Sequence, residues 1–267
     1  MANNYSTDLE TSSTQYWSNA ASTTLALKSN ITIESWFKFE TLPSSGNTMW
    51  LVEKKSEAVS DDFAIYALYI VNSAGTYSFA MRTTNGSDNS NQDDSVTFSP
   101  TTGTWVHLAV TRSSTGTIKF YVNGAQQGAD QTGYNGVLAG QTNKPFYIGH
   151  YRAAEHRGFD GLINDFRLWD VVRSTTEIND NKSNCSLSNS ATNLISRWFN
   201  ENNNGNDQTA SANNLTNNNT CTFSSDVAYS CAVGPATLSS MNSVTKATMS
   251  SVNSAAIATI TSINSVA

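Results

Sequence analysis

In NITIESWFKFE, residues 30–40, Ile31, Ile33, Phe37 and Phe39 fall on one side of an extended chain, and Glu34, Trp36 and Lys38 fall on the other. A side-chain period of two marks a β-strand with one buried face. The alternation recurs in GTYSFAMRT, TWVHLAVTR and GTIKFYVNG, with polar turns between. DFAIYALYIV is apolar on both sides, which predicts a central strand covered on both faces. KPFYIGHY, GLINDFRLWD, LISRWFN and NNLTNNNTCTFS add further strands. Asn123-Gly124 is a tight-turn pair, since both positions of such a turn need positive φ. RSTTEINDNK predicts the one short helix, with Ser174 as N-cap and Glu177 completing a capping box. About ten strands without helical crossovers predict an all-β, two-sheet antiparallel sandwich and not a parallel α/β fold.

Composition narrows the function. Charged residues make up 13% of the 267 residues, against about 25% in ordinary globular chains. The net charge is −6, and no Lys/Arg stripe is present to neutralise phosphates, which argues against nucleic acid. No apolar run reaches membrane-spanning length, and no basic amphipathic helix predicts membrane insertion. The opening MANNYSTDLE has neither a basic n-region nor an apolar h-region, so no secretory signal is read there. Cys185, Cys221 and Cys231 are an odd, sparse set. They are read as three unpaired thiols of a protein made in a reducing cytoplasm, with a Cys221–Cys231 bridge as the alternative.

Several pieces occur in a telling order: ITIESWFKF, then TWVHLAVT, FYVNG, and FDGLINDFRLW running into the short helix. Together they resemble the concanavalin A-like, laminin-G-type jelly-roll family, over most of residues 5–228. The resemblance implies a jelly-roll sandwich over residues 1–233. It does not imply one function, because this fold carries lectins, adhesins, receptor modules and glycosidases.

Glycosidases of the family share a Glu-x-Asp-x-Glu strand motif that sets two carboxylates on one face. This sequence has no such motif; its i, i+2 acidic pair is Asp8 and Glu10. His107 has no Ser or Cys nucleophile nearby in sequence, and His150 and His156 are poorly spaced for a metal. A non-enzymatic protein is expected. Calcium is the candidate cofactor: in the family an Asp on the last strand of the body often ligates it, and Asp165 stands there. The loop NGSDNSNQDDS, with Asp88, Asp93 and Asp94, is read as solvated. A sugar site needs exposed rings beside amides and acids; Trp17, Trp50, Tyr134 and Tyr151 are the candidates in or near predicted loops. Trp36, Trp105, Trp169 and Trp198 are read as packing residues.

The last residues, 234–267, repeat with an 11-residue step: Leu238, Met249 and Ile260 open three copies, each reaching an Asn-Ser pair at Asn242, Asn253 and Asn264. Ser, Thr and Asn disfavour a coiled coil, so short β segments are expected. Leu238, Met241, Val244, Met249, Val252, Ile260 and Ile263 would be their contact positions for attachment or self-association, a trimer being the simplest. Such units bury their apolar side only against neighbours or partner chains. The phrase resembles C-terminal repeats of tailed-phage structural proteins. The implied protein is a virion component (a tail fibre, head fibre or capsid decoration) made in the host cytoplasm, docking on other virion proteins and adhering to a host-surface glycan. The alternative is a carbohydrate-binding or adhesive module of a bacterial cell-surface protein.

Overall fold

The computed structural model describes residues 3–56, 64–85, 90–149, 157–198 and 204–231. The repeat tail, with all seven of its contact positions and its Gly234-Pro235 boundary, lies outside them, as do Asp88, His150, Tyr151 and His156. Among the described residues fifteen strands form two antiparallel sheets, a jelly-roll sandwich as expected. One sheet runs β10 (Ala125–Thr132), β9 (Thr117–Val122), β8 (Trp105–Arg112), β3 (Ile31–Phe39), β12 (Gly161–Trp169), β1 (Ser6–Leu9), β15 (Thr222–Ser224). A further strand, β13 (Leu194–Trp198), pairs with the second half of β12. The other sheet runs β14 (Thr216–Asn218), β2 (Tyr16–Asn19), β11 (Phe146–Ile148), β4 (Thr48–Lys55), β5 (Ala64–Ser73), β6 (Thr76–Thr84), β7 (Asn91–Thr97).

The alternation read in the sequence builds the core. Ile31, Ile33, Phe37 and Phe39 of β3 point inward with Leu108, Val110, Ile118 and Phe120. Leu68, Ile70, Phe79 and Met81 meet them from the other sheet, and edge-to-face rings such as Phe79–Phe120, 5.3 Å apart, join the layers. Strand β5 is central and buried on both faces, as its composition predicts. Asn123 and Gly124 both have positive φ and close the β9–β10 hairpin. The helix α1 (Thr175–Asn181) starts on the expected capping box, with Ser174 Oγ accepting from Glu177 N and Glu177 Oε2 from Ser174 N.

Two expectations are corrected. Residues 91–97, read as part of a solvated loop, form β7, in which Asp93 and Asp94 pair across from Arg82 and Met81; the register of the whole sheet overrides their low β-propensity. The cysteines are not three thiols: Cys185 and Cys231 form a disulfide with Cα atoms 5.6 Å apart, and Cys221 alone is free and buried. The sequence separation of 46 hid this pairing.

Long connections cross the sandwich and leave backbone carbonyls to satisfy. Buried cations do this. Arg112 donates to Ser29 O at 2.6 Å, Tyr134 O at 2.8 Å and Gly136 O at 2.7 Å. Lys54, fully buried, donates to Ser22 O at 2.8 Å and to Lys144 O. Lys54→Met keeps most of the apolar stem but leaves both carbonyls without this donor. It should lower the unfolding free energy by about 2 kcal/mol in denaturant titration, with an unchanged m-value. No loss would mean that the 22 and 144 segments are held by other contacts.

Candidate functional site

The outer faces of the two sheets differ. On the eight-stranded sheet, Glu34, Trp36 and Lys38 project from β3, as the alternation requires, beside Trp105 and His107 of β8. Glu34 and His107 are buried there, and Trp36, Lys38 and Trp105 are partly covered. Ile178 of α1 packs on Ala109 and Tyr121, Trp36 Nε1 donates to Lys182 O at 2.6 Å, and Tyr229 packs on Trp36 with ring centroids 6.2 Å apart.

Under this cover lies an ionic cluster. A bulge in β12 shifts its register between Asn164 and Arg167, and Asp165 takes φ 51° there, a backbone region that Asp tolerates better than most residues. Asp165 accepts from Arg197 Nε at 2.8 Å, from Arg167 Nη2, and from the Tyr229 hydroxyl at 2.5 Å. Glu34 accepts from Arg173 Nη1 and Trp169 Nε1, both at 2.8 Å. His107 Nε2 stands 3.5 Å from Glu34 Oε2, near enough for attraction but too long for a strong hydrogen bond. Burial alone would raise the pKa of both carboxyls; Arg167 and Arg197 around Asp165, and His107, Arg167 and Arg173 around Glu34, bring each down to about 2. Burial pushes the His107 pKa down against the opposing pull of Glu34.

Asp165 therefore does not fit calcium. Both its oxygens are taken by guanidinium groups and a tyrosine hydroxyl, a donor set that satisfies an anion and surrounds it with positive charge that repels a cation. The described residues that suit a cation by donor type are Asp8, Glu10 and Glu40, whose carboxylate oxygens lie within 4.8 Å of one another. Burial, with repulsion from neighbouring acids, raises the pKa of Glu10 and Glu40. Beside them, a cleft of 290 Å³ is lined by Thr11, Thr41, Ser44, Asn47, Met49 and Arg157 among others.

The aromatic candidates are placed differently from expectation. Trp17 is 4% exposed on β2 and faces the core, not a loop. Tyr134 is half-buried against the same core, with its carbonyl on Arg112. Trp50 also lies on a strand and is 3% exposed, but in a cluster apart from the core, with Ala67, Tyr69 and Ala80. That cluster marks the outer face of the seven-stranded sheet. Residues directly paired across strands share a face, so the register defines two parallel rows there. One runs Trp50–Tyr69–Ala80–Ser95. The next runs Ser18–Tyr147–Glu53–Ala67–Arg82–Asp93 across six strands.

In the first row the Trp50 and Tyr69 rings stack, 4.7 Å apart. The Arg82 guanidinium lies 5.4 Å from the Trp50 ring and 5.8 Å from the Tyr69 ring, and Asp93 fixes it by two parallel bonds of 2.7 and 2.8 Å. At the far end Tyr16 meets Tyr147 edge-on at 5.7 Å, with Lys55 Nζ 5.8 Å from the Tyr147 ring. Flat rings, two carboxylates, a fixed guanidinium and short alanines thus share one face. Sequence reasoning had only Trp50 of this set. Tyr69, Arg82 and Asp93 emerge from strand register, which two-residue periodicity does not reveal.

The ionic cluster gives a direct test. Both carboxyls have a folded pKa of about 2, below an unfolded value of about 4. Their stabilisation is complete above about pH 4 and is lost as pH falls through about 2. Asp165→Asn should cost about 3–5 kcal/mol at pH 7, equally in chelator and in calcium, with the difference shrinking towards pH 2. A chelator-dependent loss would restore Asp165 as a metal ligand.

The comparisons with known proteins show the family and the fold. A family model described as the Concanavalin A-like lectin/glucanases superfamily matches residues 11–179. No curated protein matches the chain. A candidate carbohydrate-binding protein from Bacteroides ovatus shares the fold with a TM-score of 0.61 at 17% identity, over 84% of this chain and 60% of that one. The heptameric SAP-like pentraxin of Limulus polyphemus superposes with a TM-score of 0.47 at 17% identity, over 63% of this chain and 76% of that one. The binding domain of botulinum neurotoxin DC, in complex with SialylT, gives 0.40 at 15% identity, over 58% of this chain and 35% of that one. The chain spans 60% of the length of the Bacteroides protein. With more than half of its residues under the family model, the chain belongs to the concanavalin A-like lectin/glucanase superfamily.

Proposed function

We propose that this chain is a non-enzymatic, carbohydrate-binding adhesive module whose ligand face is the outer side of the seven-stranded sheet. The observation that carries the reading is the pair of rows meeting at Trp50, Tyr69, Glu53, Arg82 and Asp93. Sugar C–H faces stack on rings, and sugar hydroxyls pair with carboxylates and guanidinium groups. The fold shared with the Bacteroides protein supports the same class of ligand. Trp50 and Tyr69 are almost fully buried, so binding requires what covers them to move.

The tail is the attachment or self-association element of this reading, and several copies raise a weak site to useful avidity. Display on a virion, as fibre or capsid decoration, and display on a bacterial surface both suit such a module. The Cys185–Cys231 disulfide favours working life in an oxidising, extracellular setting in either case.

A glycan array probed with the full chain, and with residues 235–267 deleted, tests both parts. The full chain should bind a restricted glycan set, and the deletion should bind the same set at least about tenfold more weakly as a folded monomer. Arg82→Ala and Trp50→Ala should remove binding with the far-UV circular dichroism kept. Running each array with calcium and with chelator reads any part played by Asp8, Glu10 and Glu40. An array blank for the full chain would sink the carbohydrate reading.

A further inference from the structure

After β15 the chain does not leave the sandwich. Residues 225–231 run back across the outer face of the eight-stranded sheet as a strap held by side chains. Asp226 reaches Lys38 Nζ at 2.5 Å and Trp105 Nε1 at 2.8 Å, and its carbonyl accepts from Ser6 Oγ at 2.7 Å. Tyr229 donates its hydroxyl proton to Asp165, lies over Trp36, and accepts on its carbonyl from Asn3 Nδ2 at 2.7 Å. Cys231 then closes onto Cys185, in the segment that follows α1. That segment is itself pinned at both ends: Trp36 bonds Lys182 O, and Arg197 bonds Leu187 O at 2.9 Å. The strap thus ends on an already fixed support, and the next residue, Ala232, begins the stretch leading to the repeats.

We propose that Cys185–Cys231 is a redox clasp on this strap. In the reduced chain the strap is held by Asp226 and Tyr229 alone. Oxidation locks it over Trp36 and Asp165. The two residues differ in access: Cys231 is 9% exposed, and Cys185 is half-buried. Opening therefore starts with a thiolate of a dithiol reductant attacking Cys185 Sγ, and Cys231 leaves as thiolate. The second thiol of the reductant displaces Cys185 and closes the reductant's own disulfide, so two electrons pass to the protein and each cysteine takes up a proton. Closing is the reverse, with a small-molecule disulfide as oxidant. A chain folded in a reducing cytoplasm would lock on reaching an oxidising exterior.

The inference is independent of what the other sheet binds. Limited chymotrypsin digestion tests it, because Tyr229 lies in the strap and its cleavage is read on a reducing gel. The unreduced protein should resist cleavage after Tyr229. The protein treated with dithiothreitol and alkylated, and the Cys185→Ser variant, should be cut there about tenfold faster or more, with far-UV circular dichroism unchanged. Intact mass after alkylation without reductant should show one modified thiol at most, since only Cys221 is free. Equal cleavage with and without the bridge would overturn the clasp, as would three alkylated thiols in the unreduced protein. Global unfolding on reduction would overturn it too, because the bridge would then support the whole sandwich.

Discussion

Buried cations pinned to backbone carbonyls are what the connections of this sandwich depend on. Arg112, Arg167, Arg197 and Lys54 are among the largest fully buried side chains. Each ties down a segment that no ladder satisfies: residues 29, 134 and 136 for Arg112, 22 and 144 for Lys54, 181 for Arg167, and 187 for Arg197. An unsatisfied buried carbonyl costs about 1–3 kcal/mol, so these bonds decide whether long connections can lie flat on the sheets. A charge placed there must itself be compensated, and for Arg167 and Arg197 the compensating anion is Asp165.

The same requirement makes the two outer faces unequal. On the eight-stranded sheet the ions face outward yet are buried, and their pairing with one another offsets the desolvation cost of that burial. Helix α1, the strap and the disulfide form the cover. The seven-stranded sheet carries no comparable buried cluster among the described residues. Its outer face carries the buried Trp50, Tyr69, Ala67 and Ala80 beside a surface ion pair, Arg82 and Asp93, 21% and 41% exposed. On the proposed function, one sheet is support and the other is the one that recognises the ligand.

The sequence shows the fold more clearly than the site. Strand β3 and the Asn123-Gly124 turn are legible because each rests on a rule a few residues long, as is the Ser174–Glu177 box. Asp165 misleads because a bulge, invisible to alternation, turns its carboxyl onto Arg167, two residues on, and onto Arg197 of a different strand. Trp17 and Trp50 stand in or near predicted loops in the sequence; pairing with β11 and β5 makes both strand residues. The Cys185–Cys231 bridge and the Tyr69–Arg82–Asp93 grouping need three-dimensional register, which no local pattern encodes.

The division between a sealed sheet and a recognition sheet can be read in one measurement: amide hydrogen exchange of the full chain, free and with its tightest-binding glycan. The account predicts added protection in residues 48–55, 64–73 and 76–84, with residues 31–39, 161–169 and 194–198 unchanged. Protection confined to the latter strands, with none across the Trp50–Tyr69 row, would place recognition on the sheet that the ionic cluster is argued to close and would contradict it.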